Sequence, residues 1–151
     1  RLWVVEMRDY PEGNDGRGGC IKILEDTNQD GTFDKVTVFM DGLSWPNGVY
    51  PCRDGAVVSC APDIFFARDT NGDGKADETK VLVTGFPAAN PQHRVNGFAY
   101  SLYHQLHFAS GDSADQVTVT ADNSLHKVAG RDIVLDVDRG LIHLTTGTTQ
   151  Y

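Results

Sequence analysis

The pattern Asp-x-Asn-x-Asp-Gly-x-x-Asp occurs twice, at Asp26–Asp34 and at Asp69–Asp77. Its chemistry is that of a hard cation. Ca²⁺ takes about six to eight oxygen ligands at roughly 2.3–2.6 Å from carboxylates, amide carbonyls and the backbone. Positions 1, 3 and 5 are Asp26, Asn28 and Asp30 in the first loop, and Asp69, Asn71 and Asp73 in the second. Position 6 is Gly31 or Gly74, which permits a sharp turn. Position 7 offers the backbone carbonyl of Thr32 or Lys75, and position 9 is Asp34 or Asp77. Without a cation, three carboxylates crowd each loop and repel one another. The competing reading is an Asp- and Gly-rich turn that holds no ion. A helical EF-hand is excluded, because position 12 is Thr37 or Lys80 where that motif requires a bidentate Glu.

A second group of chemically capable residues is Asn90-Pro91-Gln92-His93-Arg94-Val95-Asn96-Gly97, followed downstream by Gly111-Asp112. Histidine is the side chain that ordinarily changes charge near neutral pH, so His93 suits a general base. Arg94 can hold a carboxylate with two parallel bonds. The bland alternative is a polar loop whose His and Arg cap neighbouring strands. The other histidines are weaker candidates. His104 and His107 fall on opposite faces if they share a strand, and His126 and His143 are isolated. Trp3 and Trp45 read as packing aromatics. The Gly-rich stretch after Tyr10-Pro11 does not lead from a strand into a helix, so it is not a phosphate loop.

The elements that must position these residues repeat. The two Asp loops are offset by 43 residues and agree at six of nine positions. The likeness continues from Val38–Leu43 to Val81–Phe86, and Asn47-Gly48 then matches Asn96-Gly97 across an insertion of about six residues around Ala88–His93. Short β-prone runs bounded by turn residues predict strands at Leu2–Met7, Cys20–Leu24, Lys35–Met40, Gly48–Tyr50, Ala56–Cys60 and Ile64–Ala67. Further strands are predicted at Lys80–Thr84, Phe98–Ser101, Leu106–Ala109, Gln116–Thr120, Ile133–Val137 and Leu141–Leu144. The chain is therefore all-β. A period near 40–50 residues points to a β-propeller, with a β-sandwich as the rival. At this period the chain holds about three and a half blades, which predicts that residues 1–151 are a single fragment of a larger propeller domain. Each Asp loop, set between strands, resembles the nine-residue calcium hairpins of integrin-type propellers.

Composition narrows the function. The net charge is −8 with a pI near 4.9, which argues against a nucleic-acid partner. Seventeen Asp stand against four Glu, a bias toward turns and metal loops rather than helices. No apolar run is long enough for a transmembrane segment. Cys20, Cys52 and Cys60 do not make a disulfide framework. If the turn between Cys52 and Cys60 centres on Asp54-Gly55, Cys52 lies opposite Val57 rather than Cys60. No CxxCH occurs, so haem attachment is not in this segment.

Arg1–Pro11, Ile21–Asp26, the two Asp loops and Gln92–Gly97 together resemble the membrane-bound dehydrogenase N-terminal domain family of planctomycete and verrucomicrobial proteins, many of which continue into a haem-binding CxxCH region. That family is similar to soluble quinoprotein sugar dehydrogenases, which are six-bladed propellers with a site on the central axis. The resemblance implies an extracytoplasmic protein that is periplasmic, secreted or membrane-anchored through other regions. It implies a sugar, alcohol or glycan substrate, calcium, and a quinone such as PQQ in the full-length parent, completed by the remaining blades. It also implies that His93 is the base and Asp112 its acidic neighbour, with Arg94, Asn96 and, one repeat earlier, Asn47 as binding groups. The segment alone would then be inactive. The alternative is a non-catalytic calcium-binding propeller that recognises protein or glycan.

Overall fold

The computed structural model describes residues 1–8, 10, 18–88, 92–111 and 114–148, with residues 146–148 described by backbone only. Among them are thirteen strands and no helix. In the first half of the chain these are β1 (Leu2–Glu6), β2 (Gly19–Glu25), β3 (Lys35–Leu43), β4 (Gly48–Cys52), β5 (Gly55–Cys60), β6 (Asp63–Arg68) and β7 (Glu78–Thr84). They continue with β8 (Asn96–Tyr100), β9 (Leu106–Ala109), β10 (Gln116–Val119), β11 (Leu125–Lys127), β12 (Arg131–Asp136) and β13 (Leu141–Thr148). Three antiparallel sheets result, ordered β1-β2-β3, β11-β10-β7-β6-β5-β4 and β13-β12-β9-β8. Each contains a meander of consecutive strands. The third meander is interrupted by the β10–β11 hairpin, which pairs instead with β7 through Thr118↔Thr84 and Val119↔Val83.

The chain divides into two compact units, one made of Arg1–Val58 and Phe66–Lys80, the other of Ser59–Phe65 and Val81–Tyr151. In the first unit the pleat sends alternate residues of β1–β3 to opposite faces. One face carries the rung Trp3–Ile23–Thr37, and the other carries Leu2–Leu24–Val36 and Val4–Lys22–Val38. Ile21, Ile23, Phe39 and Leu43 are buried, and Trp3 meets Phe39 edge-on at 4.8 Å between ring centres. Gly55 is required at the start of β5, since a Cβ there would lie 2.0 Å from the Ala67 carbonyl oxygen. In the second unit Phe108 takes Phe86 and Phe98 edge-on above a core that includes Leu106, Ile133, Leu135, Val117 and Val119.

The all-β expectation matches this structure, with local departures. β3 does not stop before Asp41-Gly42. Bulges let it run on until Leu43 pairs with Gly19, with Gly42 at φ 69°. The β4–β5 turn is Arg53-Asp54, one residue earlier than Asp54-Gly55, with Arg53 at φ 54°. All three cysteines are free. His104 is not in a strand at all. It sits in the β8–β9 turn at φ 59°, its Nδ1 paired with the Tyr100 hydroxyl at 2.8 Å. The three-residue β11 carries no β-branched residue and was not expected. It exists because β10 holds it in register, Val117↔His126.

Candidate functional site

The first Asp loop joins β2 to β3. Asp26 Oδ1 accepts the amides of Gln29 (2.7 Å) and Asp30 (3.2 Å), and its Oδ2 accepts that of Gly31 (2.9 Å). Asn28 Oδ1 accepts Asp30 N–H at 3.0 Å, and Asp30 Oδ1 accepts Thr32 N–H at 2.7 Å. Asp34 closes the loop, taking the Thr27 amide at 2.9 Å and hydroxyl at 2.8 Å, while its own amide donates to Glu25 O at 3.0 Å.

The second loop joins β6 to β7 and repeats this arrangement. Asp69 accepts the amides of Gly72 and Gly74 at 2.7 Å each. Asn71 Oδ1 accepts Asp73 N–H at 2.9 Å, and Asp73 Oδ1 accepts Lys75 N–H at 2.8 Å. Asp77 takes the Thr70 amide and hydroxyl, and its amide donates to Arg68 O. Positions 4 and 6 are left-handed in both loops: Gln29 at φ 63° and Gly31 at 89°, then Gly72 at 82° and Gly74 at 87°.

These bonds favour the charged carboxylates. The Thr32 amide and the Asn28 side chain hold Asp30 below the usual carboxylate range, the Thr27 amide and hydroxyl do the same for Asp34, and the Gly74 amide leads the effect at Asp69. The donor set is all oxygen, as a hard cation requires, and a carboxylate has about four acceptor positions, more than the amides occupy. Among the described residues, no group of three or more His, Cys, Asp and Glu side chains converges at metal-binding separation. A cation would thus have to draw Asp30 away from the Asn28 side-chain amide, to which its Oδ2 is bonded at 3.1 Å. The roles of the Thr32 and Lys75 carbonyls rest on loop position alone.

In the second unit, the segment before β8 places His93 half-buried and Arg94 only 3% exposed. Arg94 Nε and Nη2 donate to the Ala88 carbonyl at 3.0 and 2.7 Å, and Asn96 Nδ2 donates to the Arg94 carbonyl at 2.7 Å. These bonds tie Arg94 to Ala88 and Asn96, the first residue of β8, to Arg94. Gly111, at the end of β9 and at φ 74°, lies against this turn: a Cβ on it would fall 2.0 Å from the His93 carbonyl oxygen. The structure therefore brings the His93 backbone and the Gly111 end of β9 together. Asn90, Pro91 and Asp112 lie outside the described residues. Asn47 belongs to the first unit, half-buried just before β4.

The family model described as Domain of unknown function (DUF7133) matches residues 1–151. The chain belongs to the DUF7133 family. No curated protein and no solved structure matches it. The DUF7133 description assigns neither haem nor dehydrogenase chemistry, so the site rests on its own geometry.

Sequence reasoning missed two features of this DUF7133 chain. One is the part played by Thr27 and Thr70, the second residue of each loop, which bond Asp34 and Asp77. Their identity in both copies was the available signal. The other is a cluster on β1–β2, where Glu6 bonds Lys22 and Arg8, with the Cys20 thiol 3.5 Å from Glu6 and Arg8. Lys22, then Arg8, hold Glu6 down to about 2, and burial pushes the Cys20 thiol up. The alternation Glu6, Lys22, Cys20 on one sheet face was legible only once the β1–β2 register was known.

Proposed function

We propose that this chain is a calcium-stabilised set of β-propeller blades in an extracytoplasmic, dehydrogenase-like protein. The observation that carries the reading is the paired loops, which share bonding pattern and left-handed positions 43 residues apart. One cation per loop, held by Asp26, Asn28, Asp30 and Asp34 or by Asp69, Asn71, Asp73 and Asp77, would tie two adjacent strands together. Loops of this exposed kind suit the calcium levels found outside the cytoplasm. The meanders β4–β7 and β8-β9-β12-β13 are four-stranded, as propeller blades are. Among the described residues no helix is long and apolar enough to cross a membrane.

The chemistry belongs to the inserted turn. In the longer protein a bound quinone would accept hydride from a sugar or alcohol carbon. His93 takes the hydroxyl proton of the same substrate, and Arg94 and Asn96 fix the turn that presents it. Two measurements test the reading. Calcium titration by calorimetry should show two sites per chain, and chelator should lower the melting temperature. Equal melting temperatures in calcium and in chelator would remove the metal. In the longer protein, His93→Ala should abolish quinone-dependent dye reduction while calcium-dependent stability survives.

A cleft in the first unit favours a second, non-catalytic reading. It has a volume of about 660 Å³, with Trp3, Thr37 and Phe39 on one side and Arg53, Asp69 and Asp73 among its polar lining. An indole beside charges of both signs suits a saccharide, with ring C–H groups on the aromatic face and hydroxyls on the charged rim. Quenching or shift of Trp3 fluorescence by glycans, with no dye reduction by the longer protein, would move the assignment to this reading.

A further inference from the structure

Phe39 and Leu82 stand 43 residues apart, on β3 and β7, the last strands of consecutive meanders. The Phe39 carbonyl accepts the Ala76 amide at 2.7 Å, and the Leu82 carbonyl accepts the Thr120 amide at 3.0 Å. In both cases the donor comes from chain that follows the meander. A glycine makes the first approach possible: a Cβ on Gly74 would come within 2.9 Å of Thr37 Cγ2. In the third meander the β12–β13 turn likewise lies beside the last strand of the second, a Cβ on Gly140 meeting Leu82 at an ordinary contact distance of 3.8 Å. The last strand of the first meander is thus capped by the Asp loop of the second, whereas the Leu82 bond continues the β10–β7 ladder of Thr118↔Thr84 and Val119↔Val83.

One repeat earlier, Phe33 stands where Ala76 stands and Gly31 where Gly74 stands. No atom lies within 4 Å of a Cβ built on Gly31, and Phe33 is 46% exposed. Beside it, the outer rungs of the first sheet leave Val36 58%, Leu2 46% and Val38 37% exposed. An apolar patch on so acidic a chain marks an interaction surface, and the repeat says what it takes.

We infer that Phe33, Val36 and Val38, with Leu2 and Leu24, form a docking surface for the last strand of another sheet of this repeat. In a preparation of this chain alone, the occupant is β13 of a second copy. β13 ends the third meander as β3 and β7 end the first and second, and it lies at the edge of its sheet. The contact is head-to-tail rather than face-to-face, so two different surfaces meet. The inference rests on the repeat reading of the proposed scaffold and not on calcium or His93.

Sedimentation velocity over a wide concentration range tests it, with and without chelator. The wild-type chain should gain mass with concentration. Val36→Glu/Val38→Lys, at exposed positions that leave the core intact, should stay monomeric with an unchanged circular dichroism spectrum. A labelled variant should nonetheless bind wild type, because its own β13 is untouched. Leu2→Glu, an independent change on the same surface, should reproduce the loss. A wild-type chain that is monomeric throughout, or a variant that self-associates as wild type does, overturns the docking surface. A variant that binds neither itself nor wild type overturns β13 as the occupant. Calcium binding is read separately by calorimetry, so failure here and failure of the metal sites are distinguishable.

Discussion

The two Asp loops carry nearly the same nine residues and close with nearly the same bonds, yet they live in different surroundings. The first projects from the β2–β3 hairpin with open space around Gly31. The second rests on the first sheet, its Ala76 amide on the Phe39 carbonyl and its Gly74 against Thr37. The internal network is therefore a local property, dictated by Asp, Asn and Gly at fixed positions. Docking is a tertiary property, set by whichever strand the repeat places beside the loop. Identical motifs can then differ in sensitivity to substitution while agreeing in chemistry, and experiments can separate the two layers.

Metal removal has the largest expected effect. A site filled at about 100 times its dissociation constant stabilises the fold by about 2.7 kcal/mol, so chelation should lower the melting temperature by several degrees. Asp30→Ala and Asp73→Ala should each remove one calorimetric site. If the docked loop couples to the first sheet, Asp73→Ala should also loosen β3, seen as faster amide exchange at Thr37–Met40. Asp30→Ala should not. Equal exchange at β3 in the two variants would mean that docking does not transmit loop stability.

Glycine substitution separates the layers without any metal. Ala at either Gly31 or Gly74 must adopt a left-handed backbone, which costs about 1–2 kcal/mol. Gly74→Ala must also push its methyl into Thr37, adding about 1–3 kcal/mol of overpacking. Urea unfolding in chelator should rank Gly74→Ala clearly below Gly31→Ala. Thr37→Ser, which removes the obstructing methyl, should close most of that gap.

Position 4 gives a smaller effect with an informative sign. Gln29 holds φ 63° where the other loop uses Gly72. A side chain there is strained by about 1 kcal/mol, partly offset by the greater freedom that glycine has in the unfolded chain. Gln29→Gly should therefore stabilise by only a few tenths of a kcal/mol, and Gly72→Gln should destabilise by a similar amount. Matching signs in the two swaps would show that the loops do not share a backbone.

Local features were the legible ones. The Asp loops, the strands rich in Val and Ile, and the all-β class follow from side-chain chemistry and short-range pattern, and the structure repeats them. Features that needed a neighbour were not legible. β3 continues through Asp41-Gly42, which reads as a turn, because pairing with Gly19 outweighs local preference. β11 is a strand only because β10 pairs with it. Gly111 looks like part of a turn until the His93 carbonyl is found against it. The same reasoning explains why the candidate base could be named while its surroundings could not: Arg94 is buried by contacts that its own sequence does not encode.

Acid titration gives the smallest expected effect, because the loop carboxylates are exposed and solvent screens them. Asp30 and Asp34 in the first loop and Asp69 in the second are held below the usual carboxylate range by amide and hydroxyl donors. A depressed pKa means the unfolded chain takes up the proton first. The stabilisation is therefore complete above the unfolded value near 4 and is lost as pH falls through the lower folded value. In chelator, stability should fall progressively as pH drops below about 4. Thr27→Val should shrink that fall, because it removes the hydroxyl on Asp34 while keeping the amide. Carboxylate titration followed by NMR in Thr27→Val should move Asp34 upward from its wild-type position. An Asp34 that titrates in Thr27→Val as it does in the wild-type chain would mean that the hydroxyl does not hold its charged form and that the backbone amide alone does.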